Sequence, residues 1–124
     1  QDTMLRVRKD AAAAPAVRRR PGLPRTLRIL GINDFHGALE ARADQNGIRR
    51  GGAEALAAEI ARARAACRAP GCVSILLDGG DEFQGTPASN LTYGRSVVPI
   101  MRELGVAASA LGNHEFDWGV DTLR

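Results

Sequence analysis

Val106-Ala-Ala-Ser-Ala-Leu111 runs straight into Gly112-Asn113-His114-Glu115-Phe116-Asp117-Trp118-Gly119. The apolar run reads as a strand, and the polar octet as what that strand delivers at its carboxyl end. Open α/β sheets keep their sites at that edge. Asn113 offers a neutral carbonyl oxygen, a donor suited to a hard or borderline divalent metal. His114 and Asp117 are three apart, so one helical turn puts them on one face. There the carboxylate can orient and charge the imidazole. Taken alone, the octet could equally be a polar turn with a capping Asn.

Two earlier stretches share the design. Thr26 to Ile32 is apolar and β-branched, and reads as the first strand. It ends in Asn33-Asp34-Phe35-His36-Gly37. On an extended backbone the spacing of Asp34 and His36 points both side chains to the same side. A carboxylate and an imidazole converging there make half a metal site. Val73 to Leu77 is nearly all apolar, as suits a strand buried on both faces of a parallel sheet. It ends in Asp78-Gly79-Gly80-Asp81-Glu82-Phe83-Gln84-Gly85-Thr86-Pro87. The glycine pair permits a sharp turn beside a ligand, and Asp81 follows it.

Crossover helices complete the pattern. Ala38 to Arg50 reads as a polar loop punctuated by Gly47 and the Gly51-Gly52 pair. Ala53 to Ala66 is alanine-rich and helical, with Leu56, Ala57, Ile60, Ala61 and Arg64 near one face. It crosses over with the right-handed sense expected of a βαβ unit. Thr92 to Arg95 reads as a loop. Ser96 is the expected N-cap of a helix from Val97 to Leu104. Pro99 is tolerated in its first turn, and Gly105 stops it. The order is β-α-β-α-β, an α/β arrangement with parallel strands. Phe35, Phe83, Phe116 and Trp118 all lie inside the three motifs. They form either walls that exclude water or core beneath the loops.

Composition limits the alternatives. A chain of 124 residues has room for one modest domain. The net charge of +3 is mild but uneven. Arg6, Arg8, Lys9, Arg18, Arg19, Arg20, Arg25 and Arg28 crowd the start. With an Ala run and Pro15, Pro21 and Pro24, residues 1–24 read as a disordered basic leader. Nucleic-acid binding by this leader is disfavoured, since it has no aromatics for stacking and no helical face. No apolar run approaches the ~20 residues of a membrane span. In Cys67-Arg-Ala-Pro-Gly-Cys72 the Pro-Gly turn favours a small disulfide loop if the protein is exported. In the cytosol the pair would be free thiols. Two cysteines with no nearby His make a weak zinc site.

Together the three strand ends offer Asp34, His36, Asp81, Asn113 and His114, a mixed oxygen and nitrogen set. A carboxylate on the middle strand is the natural bridge between two ions. Two divalent ions ~3.5–4 Å apart would clamp the attacking and leaving oxygens of a phosphoryl displacement. The donor set suits Mn, Zn, Fe or Co, and Mg less well.

The three motifs, Asn33 to Gly37, Gly80 to Pro87 and Gly112 to Asp117, resemble the first three of the calcineurin-like metallophosphoesterases. The likeness is closest to the 5′-nucleotidase family and covers roughly residues 26 to 124. It implies that Asp34 and His36 bind a first metal, that Asp81 bridges, and that Asn113 binds the second. It makes His114 the catalytic histidine, paired with Asp117. The family attacks with metal-bound hydroxide and forms no phosphoenzyme. The implied reaction is hydrolysis of 5′-nucleotides to nucleosides and phosphate. Nucleotide-sugar or cyclic-nucleotide phosphodiester hydrolysis is the alternative, as is a non-catalytic module that binds a metal or a partner. Glu115 receives no role beyond a charge at a helix start.

The family draws further His ligands from two later motifs and binds the nucleoside in a separate C-terminal domain. His36 and His114 are the only histidines here. The expectation is that residues 25–124 form the N-terminal part of a metallophosphoesterase sandwich. Its partner is then the remainder of the same enzyme, with a sheet edge left open and little or no turnover alone. Family habit and the Cys pair point to export to the periplasm, cell surface or exterior, with the cytoplasm as the alternative.

Overall fold

The computed structural model describes residues 26–124, so the expected basic leader lies outside the described residues. The elements run β1 (Leu27–Ile32), β2 (Arg42–Ala43), β3 (Arg49–Arg50), α1 (Gly52–Ala65), β4 (Val73–Asp78), α2 (Pro87–Asn90), α3 (Val97–Leu104), β5 (Val106–Ser109), a 3-10 turn at His114–Phe116 and α4 (Val120–Leu123). The β-branched and leucine-rich runs pair as a parallel three-stranded sheet in the order β1-β4-β5. Leu27 faces Val73 and Ile32 faces Asp78, so β1 and β4 end level. Ser109 at the end of β5 also faces Asp78. All three motif loops therefore leave from one edge, as the sequence predicts.

The helices cover one face. Ile60 of α1 and Val97, Met101 and Leu104 of α3 close over Leu76, with Leu30, Ile32, Leu56 and Val106 packed around them. The other face is open among the described residues: Leu27, Ile29 and Val73 are 62–63% exposed. The expectation that β4 is buried on both faces is thus corrected, because α1 and α3 lie on the same side. Within α1 the inner stripe is Leu56, Ala57, Ile60, Ala63 and Arg64, and Ala61 is exposed. The steps of three and four from Ile60 leave Ala61 off the stripe.

Two small elements join the expected strands and helices. The Ala38–Arg50 segment contains the β2–β3 hairpin. The Asp44 carboxylate closes its turn by accepting the N–H groups of Asn46 and Ile48 and pairing with Arg50 Nε at 2.9 Å. α2 is capped by Thr86, whose hydroxyl oxygen accepts the Ser89 N–H. Ser96 holds the expected N-cap position before α3, but its side chain makes no cap bond. It is already helical (φ −68°, ψ −23°), and its hydroxyl donates to Ala88 O instead. The turn at Thr92–Arg95 leads directly into α3, and the Val97 N–H reaches Gly94 O. Gly105 does end α3 in the left-handed conformation, with φ 70°.

Cys67 and Cys72 are bonded, with Cα atoms 5.6 Å apart, and tie the end of α1 to the start of β4. Closing so short a loop restricts the unfolded chain modestly. Replacing both by serine lowers stability by ~2 kcal/mol in urea unfolding. Unchanged stability would contradict this.

Asp78 turns the chain at the end of β4. Its Oδ2 accepts the Gly80 N–H at 2.9 Å and the Ser109 hydroxyl at 2.7 Å. Its Oδ1 and Glu82 Oε1 are both buried without a partner. Burial, and then the hydrogen bond with Asp78, push the Glu82 carboxyl up to about 7. A proton on Glu82 donated to Asp78 satisfies both oxygens. The native state therefore holds a proton that the unfolded chain releases near pH 4.5, so stability falls as pH rises from 4.5 to 7. Glu82→Gln keeps a donor without titrating. In pH-dependent denaturation of the metal-free chain it flattens that window and stabilises at pH 8, on the order of 2 kcal/mol.

Candidate metal centre

The first motif loop is stitched to the second by its backbone. Asp34 N–H donates to Gly80 O, His36 N–H to Asp81 O and Gly37 N–H to Glu82 O, at 2.8–3.0 Å. This ladder holds an unusual backbone: Asp34 (φ 54°), His36 (φ 49°) and Asp81 (φ 59°) are all left-handed. Such residues cost about 1–3 kcal/mol each and persist only where the surroundings over-determine them. The expected convergence of Asp34 and His36 occurs, with His36 Nε2 3.5 Å from Asp34 Oδ1. Its cause is corrected: the loop is left-handed at both residues, and no extended strand aligns them.

Ligand atoms of Asp34, His36 and Asp81 all lie within 4.8 Å of one another. His36 Nδ1 is 2.8 Å from Gln84 O, a carbonyl that can only accept, so Nδ1 carries the hydrogen and Nε2 the free lone pair. The Asn33 side-chain amide donates to Asp34 Oδ2. A Cβ at Gly112 would stand 2.1 Å from Asp81 Oδ1, so only glycine lets the third loop lie against that carboxylate. Two carboxylates and an oriented imidazole around one small space form a donor set that fits a borderline divalent ion.

The third loop sets His114 beside this cluster. The His114 N–H donates to Asp81 Oδ1 at 2.9 Å. Its ring lies edge-on to that of His36, with centroids 5.2 Å apart. As the spacing predicts, one turn brings His114 Nδ1 to 2.7 Å from Asp117 Oδ2. Asn113 precedes His114 on the same turn and is exposed. Of the two expected uses of the aromatics, the core is the one seen for two of them. Phe35 and Phe83 pack against the core, whereas Phe116 is exposed and Trp118 meets Tyr93 edge-to-face at 5.9 Å.

Glu115 is the residue that the sequence does not reveal. It is 4% exposed, and its carboxylate accepts the N–H groups of Asp81, Glu82 and Gly112 at 2.6–2.9 Å. It is buried structure, where the sequence suggests only a charge at a helix start. Its one visible signal is position: a side chain next to His114 on a tight turn must point away from it.

The Asp117 hydrogen bond holds the His114 imidazole above its ordinary value of 6.5. The bond therefore favours the folded state fully below that value, and the gain is lost as pH rises through the folded pKa. NMR titration of the metal-free chain should place His114 above 6.5 and Asp117→Asn lower than native. An unshifted His114, or one indifferent to Asp117, contradicts the pairing.

No protein-family profile matches the chain. Over 102 residues it is 41% identical to a snake venom 5′-nucleotidase of Naja atra, covering 78% of this chain and 18% of that protein. Among solved structures, a 5′-nucleotidase precursor from Thermus thermophilus superposes with a TM-score of 0.64 at 36% identity, over 77% of this chain and 18% of that one. The Haemophilus influenzae NAD nucleotidase NadN gives 0.65 at 31% identity, over 77% and 17%. The chain thus spans less than a fifth of the length of these relatives. Agreement in both sequence and fold places it, at the N-terminal part of the metallophosphoesterase fold, in the 5′-nucleotidase family.

Proposed function

We propose that this chain supplies one half of a two-metal phosphoesterase centre acting on 5′-nucleotides. The observation that carries the reading is the meeting of Asp34, His36 and Asp81, with His114 tied to the Asp81 carboxylate. Asp34, His36 and Asp81 would hold one ion, and Asp81 with Asn113 would contact a second. Bound there, divalent ions lower the pKa of water and neutralise charge on the phosphoryl oxygens. The remaining ligands are proposed to come from a segment equivalent to the rest of the relatives' length.

The chain's own residues have separable tasks. Gln84 O fixes the tautomer of His36, and Asn33 steadies Asp34. Asp117 takes the Nδ1–H of His114, which leaves Nε2 as the atom offered to substrate. In-line attack of water on phosphorus breaks the ester P–O bond and frees phosphate. A proton on His114 Nε2 stabilises the phosphoryl oxygens or passes to the departing ribose oxygen. The likeness to an NAD nucleotidase favours a second substrate class, a dinucleotide. Export is supported by the Cys67–Cys72 bond and by a relative found in venom. Among the described residues no helix is long and apolar enough to cross a membrane.

The test is phosphate release from 5′-AMP with manganese, run on the 124 residues alone and on the chain within its longer polypeptide. Turnover is expected in the longer context, and little or none from the 124 residues. His114→Ala should reduce it about 10²–10⁴-fold, and Asp81→Asn should weaken manganese binding at least tenfold. Turnover that survives both substitutions would sink the proposal.

A further inference from the structure

Glu115 does nothing in the chemistry above, yet it lies between the loops that carry Asp81 and His114. Its Oε1 accepts the Glu82 N–H at 2.8 Å. Its Oε2 accepts those of Asp81 at 2.9 Å and Gly112 at 2.6 Å. The amides of Asp81 and Glu82 are consecutive, and both point into this carboxylate. Gly80 (φ 98°) and Asp81 (φ 59°) are left-handed. Successive amides in such a bend form a concavity that binds anions. Left empty and buried, it would strand parallel N–H groups at the full cost of lost hydrogen bonds. Glu115 is the anion that makes this bend stable.

The bend in turn aims the site. Asp81 O and Gly80 O receive the His36 and Asp34 amides, and Asp81 Oδ1 receives the His114 amide. We infer that Glu115 is a positioning residue. By occupying the bend at Gly80–Glu82, its carboxylate sets the direction of the Asp81 side chain and hence its spacing to Asp34, His36 and His114. The inference rests on the reading of Asp34, His36 and Asp81 as metal ligands.

Glu115→Gln tests it, because the amide keeps the volume but turns an NH₂ toward N–H donors. Leu104→Ala, on the core-facing side of α3, is the purely destabilising control. Two readouts are taken: manganese affinity by calorimetry on the chain within its longer polypeptide, and the amide proton resonances of Asp34 and His36 without metal. Those two amides touch the bend but not Glu115. In Glu115→Gln both resonances should move, and manganese affinity should fall about tenfold or more. In Leu104→Ala both readouts should stay native. If Glu115→Gln does not fold, Glu115→Asp retains the charge one carbon short and should give an intermediate displacement. Native resonances in the Glu115 variant overturn the inference, as does an affinity loss matched by Leu104→Ala. A longer polypeptide of native sequence that takes up no manganese contradicts the metal reading instead, and the two resonances still decide the role of Glu115.

Discussion

A carboxylate that is hidden from water, Glu115, accepts three backbone N–H groups from two different loops. Hydrogen bonds to a charged acceptor are stronger than neutral ones, and burying that acceptor leaves no solvent to replace them. The loop after β4 and the loop after β5 therefore move as one piece. The first loop joins them through the ladder from Asp34, His36 and Gly37 to Gly80, Asp81 and Glu82. Three separate strand ends become one rigid edge, and the polar side chains on that edge inherit fixed distances. Gly112 completes the fit by having no side chain where Asp81 lies.

Much of this is legible in the residues. Strand runs, the alanine-rich helix and Gly105 follow local rules of periodicity and backbone freedom, which need no knowledge of the rest of the fold. His114 and Asp117 meet as their spacing implies, since a single turn is local geometry. Asp34 and His36 also meet, but through left-handed backbone that depends on carbonyls in the loop after β4. Glu115 is opaque for the same reason: its partners are amides on another loop, and amides leave no mark in a sequence. Ser96 stands at the N-cap as expected, but a serine there can cap the helix or bond backward, and here Ala88 O is in reach. The β2–β3 hairpin depends on Asp44 binding its own turn, a short-range effect that polar composition obscures.

Secondary structure also explains why the site lies at a rim. α1 and α3 cover one face of the sheet and direct all three loops to its carboxyl edge. The opposite face, with Leu27, Ile29 and Val73 exposed, is unlike a parallel sheet covered on both sides. The relatives extend far beyond the stretch matched here. The edge that carries Asp34, His36 and Asp81 is nonetheless built from bonds within residues 33–117. Asp78 and Glu82 lie just beneath it as a buried carboxyl pair, so the edge that gathers Asp34, His36 and Asp81 also gathers further acidic groups.

The central claim is that the loops after β1, β4 and β5 create one place for a divalent ion. Paramagnetic broadening by substoichiometric manganese, mapped along the chain by NMR, tests it most directly. The account predicts losses centred on residues 33–37, 79–85 and 112–117, with the β2–β3 hairpin and the Cys67–Cys72 loop unaffected. Broadening centred on those outlying acidic and loop residues, or spread evenly over surface carboxylates, would contradict it.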